Sequence, residues 1–201
     1  MTPITFNESQ VNFIQGYYIE QEICDNLIAL FKKNKLNHVP GTLGSTAQGP
    51  KAVNLDIKDS TDYSILPTSA IQEWTEYRES LAKCARSYVD IFPNSANTDS
   101  WGIVENANIQ YYRPGGGYKI WHTERPAAVM PCGARHLTFM TYLNDVTDQG
   151  ETEFYHQKIK VKPEKGLTLI WPTDWTYNHR GVVSPTQEKY IITGWFSFLN
   201  H

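Results

Sequence analysis

The chain has only three cysteines, Cys24, Cys84 and Cys132, odd in number and far apart. They exclude a closed disulfide framework and any Cys-x-x-Cys metal or redox motif. A block of lysines and arginines is also missing: Lys+Arg 18 stand against Asp+Glu 21, a formal net charge of -3. No broad electropositive footprint follows, so nucleic acid is not an expected partner. The one local basic cluster, Lys32-Lys33-Asn34-Lys35, suits the cation-favouring end of a helix. No apolar run reaches the length of a membrane span, and Met1 to Gln10 lacks the basic-then-apolar order of a secretory leader. A soluble, cytoplasmic setting without a membrane partner is therefore the expectation. Pro114-Gly115-Gly116-Gly117 lacks the Gly-x-Gly-x-x-Gly spacing of a dinucleotide loop.

What the chain does have is aromatic side chains, with Tyr 12, Phe 8 and Trp 6 concentrated in short runs after residue 100. At 201 residues it fits a single domain, 1–201, with helical support over about 1–100 and a β-core over about 101–201. Ile19 to Lys33 reads as an amphipathic helix, and Ser69 to Val89 as a second one that Ser69 could cap. Asn37 to Lys51 reads as a loop or lid. In the next segment Val53, Leu55 and Ile57 alternate like a strand before a turn over Asp59 to Asp62. Short extended segments follow: Ile103 to Tyr112, Tyr118 to His122, Leu137 to Leu143, Thr152 to His156, Ile159 to Val161, Gly166 to Trp171 and Tyr190 to Phe198. Strands without alternating helices point to a mainly β protein with N-terminal supporting helices (α+β), built as a turn-rich antiparallel barrel or jelly roll.

His122 and Glu124 are one residue apart, so on a strand they share a face that a distant His179 can complete. Two imidazoles and a carboxylate suit divalent iron and leave positions open for substrate and oxygen. The triplet alone is equally compatible with a cupin-like zinc or manganese site, or with a hydrogen-bonded His–Glu pair and no ion.

The surrounding sequence is more specific. The run Tyr111-Tyr112-Arg113-Pro114-Gly115-Gly116-Gly117-Tyr118-Lys119-Ile120-Trp121-His122-Thr123-Glu124 resembles the prolyl 4-hydroxylase-like 2-oxoglutarate/iron(II) dioxygenases. So do Arg135 to Asn144, Gly150-Glu151-Thr152-Glu153-Phe154, His179-Arg180-Gly181-Val182-Val183 and Glu188 to Trp195. The resemblance spans roughly residues 103 to 198 and implies a distorted double-stranded β-helix (jelly roll, cupin-like). It further implies an iron triad of His122, Glu124 and His179, with Lys189 receiving the distal carboxylate of 2-oxoglutarate. Tyr142 and Tyr112 match positions near that cosubstrate. Implied cofactors are Fe(II), 2-oxoglutarate and O2, with ascorbate admissible. The implied reaction hydroxylates a substrate carbon and forms succinate and carbon dioxide, on a proline-containing peptide or protein or on a small molecule.

One position departs from that pattern, because Glu124 stands where the family carries aspartate. The added methylene can shift the metal relative to Lys189 or change how many oxygens bind it. A retained carboxylate argues against the halogenase variant. The competing readings are a non-catalytic β-barrel interaction protein and a cupin-like metalloenzyme independent of 2-oxoglutarate. Trp121, Trp171 and Trp195 are expected to fill or rim the barrel, their indole N–H groups finding acceptors. Trp175 and Tyr177 are expected to orient the His179 loop or meet substrate. His136 and His156 are expected away from the metal, and Arg180 either in an ion pair or on a substrate carboxylate.

Overall fold

The computed structural model of the chain describes residues 3–4, 12–43 and 52–199. Strands β1 (Pro3–Ile4) and β2 (Gln15–Tyr18) precede helix α1 (Gln21–Lys33); β3 (Val39–Pro40), β4 (Lys58–Asp59) and β5 (Thr61–Ile65) lead to helix α2 (Gln72–Ile91). The remainder is β6 (Trp101–Gly102), β7 (Ala107–Tyr112), β8 (Gly117–Tyr118), β9 (Arg135–Tyr142), β10 (Thr152–Phe154), β11 (Ile159–Val161), β12 (Leu167–Pro172), β13 (His179–Gly181) and β14 (Lys189–Phe198).

All strand pairs are antiparallel, and the main sheet has nine strands along the order β1-β2-β12-β9-β14-β7-β5-β3, with β6 joining β14. Two small sheets, β11-β10-β13 and β4-β8, lie apart from it. Among the described residues the strands thus form open sheets, so of the barrel or jelly roll expected from their number and spacing the closed barrel is not found. The main sheet, among the described residues, ends at β1 on one side and β3 on the other.

Period-2 alternation divides the main sheet into two chemically different faces. Leu137 and Phe139 on β9, with Tyr190, Ile192 and Phe196 on β14, join one core with Leu27, Phe31, Trp74, Tyr77 and Leu81 of the helices. The opposite faces of the same strands carry Met140 and Tyr142, and Lys189, Ile191, Thr193 and Trp195, which line a cavity. The helices dock because their apolar residues recur on one stripe: Cys24, Leu27, Leu30 and Phe31 on α1, and Trp74, Tyr77, Leu81, Cys84, Ala85 and Tyr88 on α2. Each such large side chain, fully buried, contributes on the order of 1.5–3 kcal/mol. The buried Tyr77 hydroxyl in this layer is paired with Thr141 Oγ1 at 2.9 Å.

Several local expectations are corrected. Ser69 does not cap α2: the cap residue is Ile71, and Ser69 Oγ only accepts from its amide at 3.4 Å. The segment after residue 52 is inverted relative to its hydrophobic alternation, because residues 55–57 form the turn and Lys58–Asp59 and Thr61–Ile65 the strands. Edge pairing with β7 and a buried Lys58–Asp62 ion pair outweigh the exposed Val53 and Leu55. The expected loop after Asn37 contains β3, and its residues 44–51 lie outside the described part. β2 and β13 were not foreseen; both are short and lack an alternating apolar signature.

Gly194 is the tightest point of the sheet, since a Cβ there would collide with the ring of Phe139. Phe139 is fully buried between Tyr77 and Phe196 and has little room to yield. Gly194→Ala is expected to destabilise the fold by about 1–3 kcal/mol. Urea denaturation checks it; an unchanged midpoint would mean that the ring moves freely.

Candidate metal centre

His122 and His179 face each other through a reciprocal pair of backbone hydrogen bonds, His122 N–H to His179 O and His179 N–H to His122 O, each 2.9 Å. The expected strand from Tyr118 to His122 is broken: β8 ends at Tyr118, and His122 pairs as an isolated bridge. This bridge, not a continuous strand, brings the two imidazoles together, with ring centroids 4.3 Å apart. The Nδ1 of His122 lies 3.1 Å from Ile120 O, and that of His179 lies 2.9 Å from Tyr177 O. A ring N–H on Nδ1 satisfies each carbonyl and leaves the Nε2 lone pair for a metal. Glu124 Oε1 is 3.7 Å from His122 Nε2 and 3.4 Å from His179 Nε2. Their ligand atoms lie within 4.8 Å of one another.

Electrostatics favour the ligating forms of these groups. Burial and the neighbouring His179 lower the His122 pKa, against the pull of Glu124. Burial opposes the Glu124 charge, but hydrogen bonds and attraction from the two histidines bring its pKa well below the usual carboxylate range. Aromatic side chains enclose the imidazoles. Tyr118 stacks on His122 at 3.7 Å, while Trp171 meets His179 edge-on at 5.2 Å.

The triad opens into a cavity of about 890 Å³ that Lys189, Tyr142 and Tyr112 also line. Lys189 is 5% exposed, which makes it a buried ammonium. Its Nζ donates to Gly150 O at 3.0 Å and lies 5.1 Å from the Tyr112 ring centre. Among the described residues no carboxylate forms an ion pair with it. Burial pushes its pKa down to about 8, with a weak upward pull from Glu151. The Tyr142 hydroxyl donates to Thr152 Oγ1 at 2.6 Å, and that of Tyr112 to Gln110 Oε1 at 2.6 Å. Tyr112 therefore presents its ring to Lys189 while its hydroxyl is engaged elsewhere.

Sequence reasoning missed two charged pairs in the cavity wall. Lys58 Nζ meets Asp62 Oδ2 at 2.9 Å, and Asp62 also accepts from Gln110 at 3.4 Å. Arg135 donates to both oxygens of Glu105, at 2.8 and 2.6 Å. Neither pair was foreseen: Lys58 borders and Asp62 lies in a segment that reads as a turn, and Glu105 and Arg135 are distant in the chain. Trp195 was expected to fill or rim the barrel with an acceptor for its indole N–H, and that N–H donates to Glu124 Oε2 at 2.9 Å. Trp171 Nε1 is buried and has no acceptor, contrary to expectation.

Other expectations hold. His136 packs on Trp101 and its Nε2 donates to Ser95 O, while His156 contacts Tyr155 and Trp175, both away from the triad. Arg180 pairs with Glu153 at 2.9 Å and lies over the Trp121 ring. Tyr177 is buried and orients His179 through its carbonyl, whereas Trp175 is exposed. Residues of the 125–133 segment, among them Pro126, Val129 and Met130, also line the cavity.

Comparisons with known proteins agree with this geometry. The chain is similar to the viral collagen prolyl hydroxylase of Paramecium Bursaria Chlorella virus-1, solved as a 2OG complex, at 19% identity and a TM-score of 0.68, covering 94% of this chain and 97% of that one. It is similar to a Pseudomonas putida prolyl-4-hydroxylase at 17% identity and a TM-score of 0.66, covering 93% and 92%. A third similar structure is a Trichoplax adhaerens prolyl hydroxylase in complex with a hypoxia inducible factor oxygen degradation domain peptide fragment, at 17% identity and a TM-score of 0.67, covering 93% and 84%. At these identities the likeness establishes the shared fold. No curated protein sequence matches the chain. The sequence profile of the 2OG-Fe(II) oxygenase superfamily matches residues 107–197. Both histidines and the glutamate of the triad lie inside that stretch, so the metal-binding part of the chain is what matches the 2OG-Fe(II) oxygenase superfamily.

Proposed function

We propose that this Fe(II)- and 2-oxoglutarate-dependent dioxygenase hydroxylates proline residues within a peptide or protein, with Lys189 as the anchor of the cosubstrate. The observation that carries the reading is a buried ammonium without a carboxylate partner in the same cavity as a two-histidine, one-carboxylate triad. A buried cation is costly unless an anion meets it, and the distal carboxylate of 2-oxoglutarate supplies one. The donor set also fits the metal, since neutral imidazoles and one carboxylate suit divalent iron with positions left open. In this reading the strands are the distorted double-stranded β-helix of the prolyl 4-hydroxylase-like enzymes, supported by the two helices within one domain.

When bound, iron with 2-oxoglutarate and O2 supplies the oxidation that converts a substrate C–H bond to C–OH and releases succinate and carbon dioxide. The residues of the chain do the positioning. His122, Glu124 and His179 hold the metal, and Lys189 orients the cosubstrate through its distal carboxylate. The Tyr112 ring screens the ammonium from water, and Tyr142 offers a hydroxyl beside Thr152 on the same wall. Ascorbate is an auxiliary cofactor in this reading, and a cytoplasmic setting suits the three free cysteines.

A peptidyl proline suits the rest of the cavity. The charges of Lys58 and Asp62, and of Arg135 and Glu105, are satisfied internally, so an uncharged ring leaves no ion stranded. Val104, Ile120, Val129 and Met130 are exposed around the mouth, where flanking apolar residues of a peptide can be covered.

Anaerobic addition of Fe(II) and 2-oxoglutarate is expected to produce a visible charge-transfer band. Lys189→Ala should weaken 2-oxoglutarate by roughly 10- to 100-fold, the value of a hydrogen-bonded charge. His179→Ala should abolish the band. Properly folded, metal-loaded protein without a band would defeat the cosubstrate assignment and favour a metalloenzyme independent of 2-oxoglutarate. Substrate is tested by succinate release and the gain of one oxygen atom in proline-containing peptides and in their alanine replacements. Equal turnover on both would exclude proline as the target, and no turnover on any substrate would favour a binding protein.

The lowered Lys189 pKa sets a pH dependence. The ammonium form binds the carboxylate and is populated below about pH 8, so affinity is flat there. Above that value the free cavity loses the proton, and 2-oxoglutarate affinity should fall by up to about 10-fold per pH unit. Lys189→Arg, which stays charged, should remove the dependence. A wild-type affinity that stays constant through about pH 9 would refute the assignment of this proton to Lys189.

A further inference from the structure

Glu124 has one more methylene than the aspartate usual at its position, and the structure contains a specific restraint on that longer arm. Its two oxygens have different surroundings. Oε1 faces the Nε2 atoms of His122 and His179, at 3.7 and 3.4 Å. Oε2 turns the other way and accepts the Trp195 indole N–H at 2.9 Å.

The indole is itself held. Arg135 lies 3.4 Å from the centre of the Trp195 ring, and its cationic face strengthens the N–H as a donor. Arg135 is fixed in turn by its fork onto Glu105 and by a 2.8 Å bond from Nη1 to the Glu124 carbonyl. That Nη1 is 3.8 Å from Glu124 Oε2, too far for a hydrogen bond, so the indole is the direct donor to that oxygen. Glu105, Arg135, Trp195 and Glu124 thus form a chain of restraints, and the three charged side chains are mostly buried.

We propose that Trp195 is a positioning residue that holds Glu124 to single-oxygen metal coordination by occupying its second oxygen. The inference rests on the metal reading of the triad. Its consequence follows from counting positions. Three protein donors leave three places on a six-coordinate ion, and a cosubstrate chelating through two atoms leaves one. A glutamate that swung both oxygens onto the metal would take it. The shorter aspartate has less freedom to do so, and its carboxylate would stop about 1.5 Å short of the indole, one C–C bond length. The Glu124–Trp195 hydrogen bond therefore lets the longer side chain keep the coordination number of the shorter one.

The test is a double-mutant cycle read on Co(II) binding without 2-oxoglutarate. Trp195→Phe in the Glu124 protein is expected to weaken Co(II) by roughly 10-fold, the lower end for loss of an outer partner of a ligand. The infrared separation between the two carboxylate stretches of Glu124 should narrow, the signature of two-oxygen binding. In the Glu124→Asp background the same Trp195→Phe change should shift Co(II) affinity by less than about 2-fold, because the aspartate does not reach the indole. Where Trp195→Phe unfolds the apo protein, benzothienylalanine at 195 keeps the ring shape and the Arg135 contact while deleting only the N–H, and the same two readouts apply.

Equal affinity losses in both backgrounds, unchanged carboxylate bands in the Glu124 protein, or no Co(II) binding by wild type would each overturn the inference. Failure of 2-oxoglutarate to bind with the coupling intact would sink the functional reading and leave this one standing.

Discussion

The site depends on two backbone hydrogen bonds between His122 and His179. Side-chain ligands on flexible loops would lose much of a metal's affinity to ordering. Here the main chain holds the two imidazoles side by side, and carbonyls at Ile120 and Tyr177 set both ring orientations. Each carbonyl lies two residues before the histidine it orients. The same short segment therefore supplies a ligand and its tautomer.

The main sheet extends this arrangement by giving its strands two jobs. On β14, Tyr190, Ile192 and Phe196 anchor the helices, while Lys189, Ile191, Thr193 and Trp195 face the cavity. A one-residue slip would exchange the faces, so helix packing also fixes which side chains meet the metal. The pairing of Lys189 with Tyr112, and of Ile191 with Tyr142, aligns the cavity faces of three strands.

Much of this was legible before any coordinates. Helices α1 and α2 stand within a few residues of their apolar stripes, and His122, Glu124, His179 and Lys189 lie in motifs dense enough to name a family. Less legible were features that arise from pairing between distant strands. Hydrophobic alternation at Val53, Leu55 and Ile57 suggested a strand, yet the chain turns there because the next residues have β7 to pair with and those do not. For Trp195 an acceptor was expected, but nothing local in the sequence names Glu124 as that acceptor. Openness of the sheets was also hidden: strand count and turn spacing are the same for a closed barrel and for sheets with edges.

The sheet also separates the sulfur atoms of the chain. Cys24 and Cys84 lie in the helix-side core, where burial pushes both thiols up to about 12 and keeps them protonated. Protonated, dry thiols are poor nucleophiles and resist oxidation. Met140 and Cys132 instead line the cavity. The strands β9 and β14 thus stand between sulfur sealed among the helices and sulfur that borders the metal cavity.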